Sequence, residues 1–169
     1  MKRHSEKRLF RAALFQKYYR ELSAVSNLQQ IAQFPQHGTT SRLLHSAAVA
    51  YYSYRLAQLS RLTFHAEDLI RGALLHDYFF YDAQDGDPAR KGHWSKHPAV
   101  ALENAGREVE LTGIERDIIE KHMFPLTPRP PRYRESVLVS LADKACSVYE
   151  FFCRKHPYRS LRRNVLSGL

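Results

Sequence analysis

The sequence predicts an all-α protein, an orthogonal helical bundle. Apolar residues recur at three-to-four spacing through most of the 169 residues. No segment alternates apolar and polar as a half-buried strand does. The breaks between periodic segments carry Pro35-Gln36-His37-Gly38 and the prolines at 125, 128, 130 and 131. Hydrophobic residues at 44% and charged residues at 25% are ordinary globular usage, so a single domain with its own core is expected over residues 1–169.

The elements follow in order. Residues 5–24 read as a helix, with Leu9, Phe10, Ala13, Leu14, Tyr18 and Leu22 at helical spacing, and a short helix follows around Asn27–Phe34. Ser41 is placed to cap a long helix reaching Leu59, its apolar face supplied by Leu44, Ala47, Ala48, Tyr51, Leu56 and Leu59. Another helix runs from Ala66 to His76, burying Leu69, Ile70, Ala73 and Leu74, with Glu67 and Asp68 suited to its first turn. Asp82–Lys96 is polar and reads as the longest loop, expected at the mouth of any pocket as a lid. A helix then starts near Pro98 and ends near Gly106. Thr112 and Glu115 form a capping-box pattern opening a helix to Met123. A last helix covers Arg134–Arg154, with Val137, Leu141, Ala145, Val148 and Phe152 expected inward.

No apolar run approaches the roughly 18 residues of a membrane span, and no apolar signal core follows the basic start, so the cytoplasm is the expected location. Cys146 and Cys153 lie two helical turns apart, about 10 Å along the axis, too far for a disulfide. The net charge is +9, and the excess sits at the ends. Residues 1–20 carry Lys2, Arg3, Lys7, Arg8, Arg11, Lys17 and Arg20 against Glu6 alone; residues 154–169 carry five bases and no acid. Such a balance suits a small anionic substrate. Nucleic acid held through the basic termini is a less favoured partner, because it leaves the buried acids and histidines unexplained.

Nine histidines are many for this length. His4, His37, His65 and His156 fall in surface-like or loop contexts. His45 lies in the first turns of a long helix. His76 and Asp77 end the apolar run Ala73-Leu74-Leu75. His97, with His93 as its competitor, flanks Trp94, and His122 ends another helix. Asp143 sits within the apolar context Leu138-Val139-Ser140-Leu141-Ala142; a buried acid there must be paired or metal-bound.

The order His45…His76-Asp77…Asp143 resembles the HD superfamily of metal-dependent phosphohydrolases, over about residues 40–150. The resemblance implies an all-α HD-type bundle in which His45, His76, Asp77 and Asp143 bind a metal. His97 and His122 stand where some HD proteins carry two further histidines for a second metal. Lys96-His97-Pro98 and Lys121-His122-Met123-Phe124-Pro125 are similar in wording to a branch of small bacterial HD proteins. The Gly, Lys and Gly-Tyr-Pro features of the cyclic-dinucleotide branch are missing, since Tyr78-Phe79-Phe80-Tyr81 follows the dipeptide.

Imidazole and carboxylate together suit Mn, Fe, Co, Ni or Zn, as one or two ions, better than Ca. Asp77 has two oxygens with which to bridge. The expected activity is hydrolysis of a small phosphorylated metabolite or nucleotide by metal-activated water. Lys96 and Lys121, each beside a proposed ligand, are the leading cations for phosphate oxygens, ahead of Lys144, Arg90 and Lys91. The same ligand set also permits a di-iron oxygenase.

Overall fold

The computed structural model describes residues 2–83, 92–153, 155, 157–164 and 166, with side chains from residue 12 onward except Asn164. Helix α1 (Lys2–Val25) leads into a short 3-10 helix (Leu28–Gln33). A small antiparallel pair follows, β1 (Pro35–His37) and β2 (Thr40–Ser41). The remaining elements are α2 (Arg42–Ser60), α3 (Ala66–Leu75), α4 (His93–Glu108), α5 (Gly113–Lys121), α6 (Arg134–Phe152) and α7 (Arg159–Asn164). The all-α expectation therefore stands, with one correction: residues expected only to break the chain form a two-stranded hairpin. Among the described residues, no helix is long and apolar enough to cross a membrane.

Helix α2 is the axis of the bundle and packs on α3 and α6; α3 in turn packs on α5, and α5 on α4 and α6. Its inner surface is built from Ala47, Ala48, Ala50, Ala57, Ser46 and Ser53, all buried, so neighbours can approach closely. The Ser41 hydroxyl caps α2 by accepting from Leu44 N–H at 3.3 Å. At the other end, Arg61 takes a left-handed conformation (φ 60°) that ends the helix. Thr112 and Glu115 close the expected capping box at the start of α5. Glu115 is fully buried there, and Arg71 of α3 donates to it, joining the two helices. Gly72 of α3 lets α5 come this near: a Cβ built on it would stand 2.7 Å from Ile118 Cδ1.

Several expected details are corrected. Helix α4 begins at His93 and ends at Glu108, so Pro98 lies inside it and Lys96 belongs to a helix, not a loop. The proposed lid falls largely on residues 84–91, outside the described residues. On α1 the buried side chains are Phe15, Tyr18, Tyr19 and Leu22, while Ala13 is exposed. Leu56 and Leu59 of α2 are exposed rather than buried. The largest correction concerns α6. Its expected inward set, Val137, Leu141, Ala145, Val148 and Phe152, faces outward, and Ser136, Val139, Ser140, Ala142, Asp143, Cys146 and Glu150 face the core. The helix turns its more polar side inward because hydrogen-bond and ionic partners for those groups are there. Cys146 and Cys153 are both free thiols.

Replacing Gly72 by alanine tests the α3–α5 contact. Alanine normally favours a helix over glycine by about 1 kcal/mol, but here the methyl meets Ile118. The expected result of Gly72→Ala is a net loss of about 1–3 kcal/mol, read as a lower urea midpoint. An unchanged or raised midpoint would contradict the close contact.

Candidate metal centre

Five helices bring six side chains to one buried place. His45 comes from the first turn of α2. His76 is the C-cap of α3, and Asp77 follows it. His97 comes from the second turn of α4, His122 is the C-cap of α5, and Asp143 lies midway along α6. All six are buried. His45 Nε2 lies 3.0 Å from Asp143 Oδ1, and His76 Nε2 lies 3.7 Å from the same oxygen. Asp77 divides its oxygens between two groups. Oδ2 is 3.5 Å from His76 Nε2, while Oδ1 is 3.2 Å from His97 Nε2 and 3.6 Å from His122 Nε2. Two overlapping sets, His45–His76–Asp143 and His76–Asp77–His122, each offer atoms within 4.8 Å of one another.

The rings are aimed from behind. His76 Nδ1–H donates to Ala73 O at 2.7 Å, and His122 Nδ1–H donates to Ile119 O at 2.9 Å. These are the same local device: a histidine capping a helix takes a last-turn carbonyl that has no helical donor. His97 Nδ1–H donates to His93 O at 3.2 Å. A carbonyl can only accept, so each ring carries a proton on Nδ1 and turns its Nε2 towards the cluster. His45 is held by a side chain instead. Its Nδ1–H donates to Glu150 Oε1 at 2.9 Å, and Tyr158 O–H donates to the same oxygen at 2.7 Å. Metal-binding histidines are oriented in this way, through the nitrogen that does not face the ion.

The cluster is not satisfied by its own members. His76 Nε2 and Asp77 Oδ1 are buried without a hydrogen-bond partner. His97 Nε2 and His122 Nε2 stand 2.8 Å apart, although both rings already carry their proton on Nδ1. Two lone pairs at that distance repel unless a proton or a cation lies between them. Burial also works against an added proton on His122, whose pKa is pushed down to about 3 by desolvation and then by His76 and His97. A divalent cation answers both the orphaned atoms and the facing lone pairs.

The charges point the same way. Burial opposes ionisation of Asp77 and Asp143, yet both are held well below the usual carboxylate range. His76, His97 and His122 act on Asp77, and His45 and His76 on Asp143. Burial also opposes a charged His45, but Asp143 and Glu150 overcome it and raise its pKa well above the ordinary value. His45 thus holds on Nε2 a proton that a metal would displace.

The other expected residues are placed as follows. Lys121 extends to Asp117 in an ion pair, and Asp117 also accepts Arg132 N–H at 2.8 Å. Lys96 is exposed on α4, its ammonium 4.0 Å from where a Cβ on Gly92 would stand. Lys144 donates to His122 O at 2.7 Å and to Ser140 Oγ at 3.0 Å, tying the end of α5 to α6. Arg90 and Lys91 lie outside the described residues. His93 is not in the inner ring; it stacks on His97 and pairs with Tyr81 O–H at 2.9 Å. Trp94, between His93 and His97, is 55% exposed. His37, expected at the surface, is half-buried, its ring 5.8 Å from that of His45.

Three residues of the site were not anticipated. Gln36 Nε2–H donates to Asp77 Oδ2 at 2.6 Å, which turns Oδ1 towards His97 and His122. Arg42, fully buried, donates to Gln36 Oε1 at 3.1 Å and to the carbonyls of Phe79 and Tyr81, and it lies 3.5 Å over the Phe79 ring. Glu150 is the third. Its signal was present in the sequence: it sits seven residues after Asp143, on the same helical face, among Val148, Tyr149, Phe151 and Phe152. Neither Gln36 nor Arg42 has such a signal.

No family profile, curated protein or solved structure matches the chain.

Two outcomes follow from this geometry. Glu150→Gln removes the charge behind His45, so metal affinity should fall about 10- to 100-fold in titrations of chelator-stripped protein; unchanged affinity would contradict the role given to Glu150. At pH 7, metal uptake should release protons, because Asp143 and Glu150 favour the protonated form of His45 and a metal would displace that proton. Calorimetry in buffers of different ionisation enthalpy reads this, and binding heats independent of the buffer would contradict it.

Proposed function

We propose that this chain is a metal-dependent phosphohydrolase of the HD type, acting on a small phosphorylated metabolite or nucleotide. One observation carries the reading: four imidazoles and two carboxylates from five helices converge in a buried space. There His76 Nε2 and Asp77 Oδ1 lack partners, and the His97 and His122 lone pairs face each other. The ligand order along the chain is the one that the HD resemblance implies. The net charge of +9 agrees with an anionic substrate.

In this reading His45, His76, Asp143 and Asp77 Oδ2 hold one ion, and His97, His122 and Asp77 Oδ1 hold the second. Nitrogen and carboxylate donors together fit Mn, Fe, Co, Ni or Zn. The bound ions would lower the pKa of water towards 7 and polarise a phosphoryl oxygen. The protein's own side chains supply the rest. Gln36 and the three backbone carbonyls keep the donor atoms aimed, so that no reorganisation is needed when substrate arrives. His37, half-buried beside His45, and Lys96, exposed beside His97, are the groups we assign to substrate contact. The Lys121 ammonium is committed to Asp117, so it positions the end of α5 instead of meeting substrate.

The test is elemental analysis of protein purified without chelator, with phosphate release from a panel of phosphomonoesters and nucleotides in Mn or Co. The wild-type chain should carry transition metal and release phosphate. His76→Ala should lose all metal, because it removes a ligand of the first ion and the second site shares Asp77 with the first, and His122→Ala should lose about half. Metal-free wild-type protein would contradict the reading. A coloured, iron-loaded protein that consumes dioxygen with substrate and releases no phosphate would favour a di-iron oxygenase on the same ligands.

A further inference from the structure

Helix α6 has two faces of opposite use. The inner face gives Asp143 and Glu150 to the cluster. The outer face is an uncharged apolar stripe: Val137, Leu141, Ala145, Val148 and Phe152 recur at spacings of four and three, the pattern by which a helix pairs with another helix. Leu141 is 57% exposed, Val148 58% and Phe152 79%. Leu56 and Leu59 of α2 lie beside the stripe, and the two helices enclose an apolar groove of about 340 Å³. Tyr149 and Tyr158 form part of its wall, and among the described residues lining it Arg55 alone is charged.

These features are difficult to reconcile with a free surface. In a chain with 26 basic residues, an exposed apolar face of this size, with Arg55 alone charged in the adjoining groove, marks an interaction surface. The exposed parts of Val137, Leu141, Val148, Tyr149 and Phe152 with Leu56 and Leu59 come to on the order of 700 Å², close to the roughly 800 Å² that each partner contributes to a standard stable interface. The stripe is also self-complementary. With a two-fold axis at Ala145 and two α6 helices antiparallel, Leu141 of one copy meets Val148 and Tyr149 of the other. Val137 then meets Phe152. The small side chain of Ala145 lies where the helices come closest, and each Phe152 projects towards apolar surface on the other copy. One surface that carries both the projecting and the receiving parts is what a closed two-fold interface requires.

We infer that a second copy of this chain covers the face, the α6 helices crossing at Ala145 to make a dimer. Repulsion between two chains of +9 does not forbid this, because the stripe itself carries no charge and charges are screened over about 8 Å at physiological ionic strength. The inference is independent of the phosphohydrolase reading, since it uses only the outer side of α6.

The experiment is size-exclusion chromatography with light scattering on the full chain, across a range of protein concentrations. The wild type should elute with twice the 19.7 kDa mass of one chain. Leu141→Asp and Phe152→Asp should each weaken the dimer at least about 100-fold, a loss expected where a central apolar anchor is replaced by a charge. Both positions are exposed, so metal content and helical circular dichroism should stay at wild-type values and serve as controls for folding. Ala145→Cys in a Cys153→Ser background should cross-link under mild oxidation. A wild type that stays monomeric overturns the inference, including one that instead sediments with anionic phospholipid vesicles. So does a dimer indifferent to both aspartates. A dimer without the cross-link overturns the crossing at Ala145.

Discussion

Two acids and four imidazoles share a buried volume, and His76 Nε2 and Asp77 Oδ1 find no partner among them. Buried polar groups are normally paired, and the price of leaving one unpaired is about 1–3 kcal/mol or more. Here His76 Nε2 and Asp77 Oδ1 are left open, and two bare nitrogens face each other at 2.8 Å. Hydroxyls such as those of Ser46 and Ser53 are also buried without a partner, but in the cluster the open atoms belong to ionisable side chains that face one another. Acids outside the cluster are paired: Glu108 accepts both Asn27 donors and the Tyr78 hydroxyl, and Asp117 accepts two loop amides. Facing donor atoms of two carboxylates and four imidazoles, with two of those atoms unpartnered, are what a bound cation would satisfy.

The rest of the architecture serves to aim that cluster. Ends of α3 and α5 turn their last-turn carbonyls, ordinarily left to solvent, into acceptors for His76 and His122. The hairpin before α2 reaches Asp77 through Gln36. Behind Gln36 lies Arg42, whose guanidinium has burial working against its charge and its pKa lowered to about 10. Arg42 also gathers the carbonyls of Phe79 and Tyr81, so it joins the hairpin to the segment after the His-Asp dipeptide. On the far side, Tyr158 and Glu150 fix His45. The four imidazoles and Asp77 are thus each held by a second group outside the cluster, and Asp143 by His45 within it.

How much of this could be read from the chain differs by element. The helical periodicity of α1, α2, α3 and α5 placed those elements within a few residues, because their apolar faces are the ones buried. On α6 the same reasoning chose the wrong face. It ranked Leu141 and Phe152 above Ser140 and Glu150 as core, whereas the interior of this bundle holds ionic partners for the polar side. Apolar periodicity locates a face that wants covering, without saying whether the cover is the same molecule. Asp143 was legible as an acid in an apolar run, and Glu150 would have been by the same test. Gln36, Arg42 and His37 act across distances of 37 to 41 positions or through a hairpin that has no alternating signal, and only the three-dimensional structure brings them to the site.

The account stands on a cation lying among these six side chains, and anomalous diffraction from crystals grown with Mn, recorded on both sides of the metal absorption edge, tests that most directly. It predicts two peaks. One lies between His45, His76, Asp143 and Asp77 Oδ2, the other between His97, His122 and Asp77 Oδ1. Crystals whose only anomalous density lies elsewhere on the surface, with the six side chains bonded to water or to one another, would contradict it.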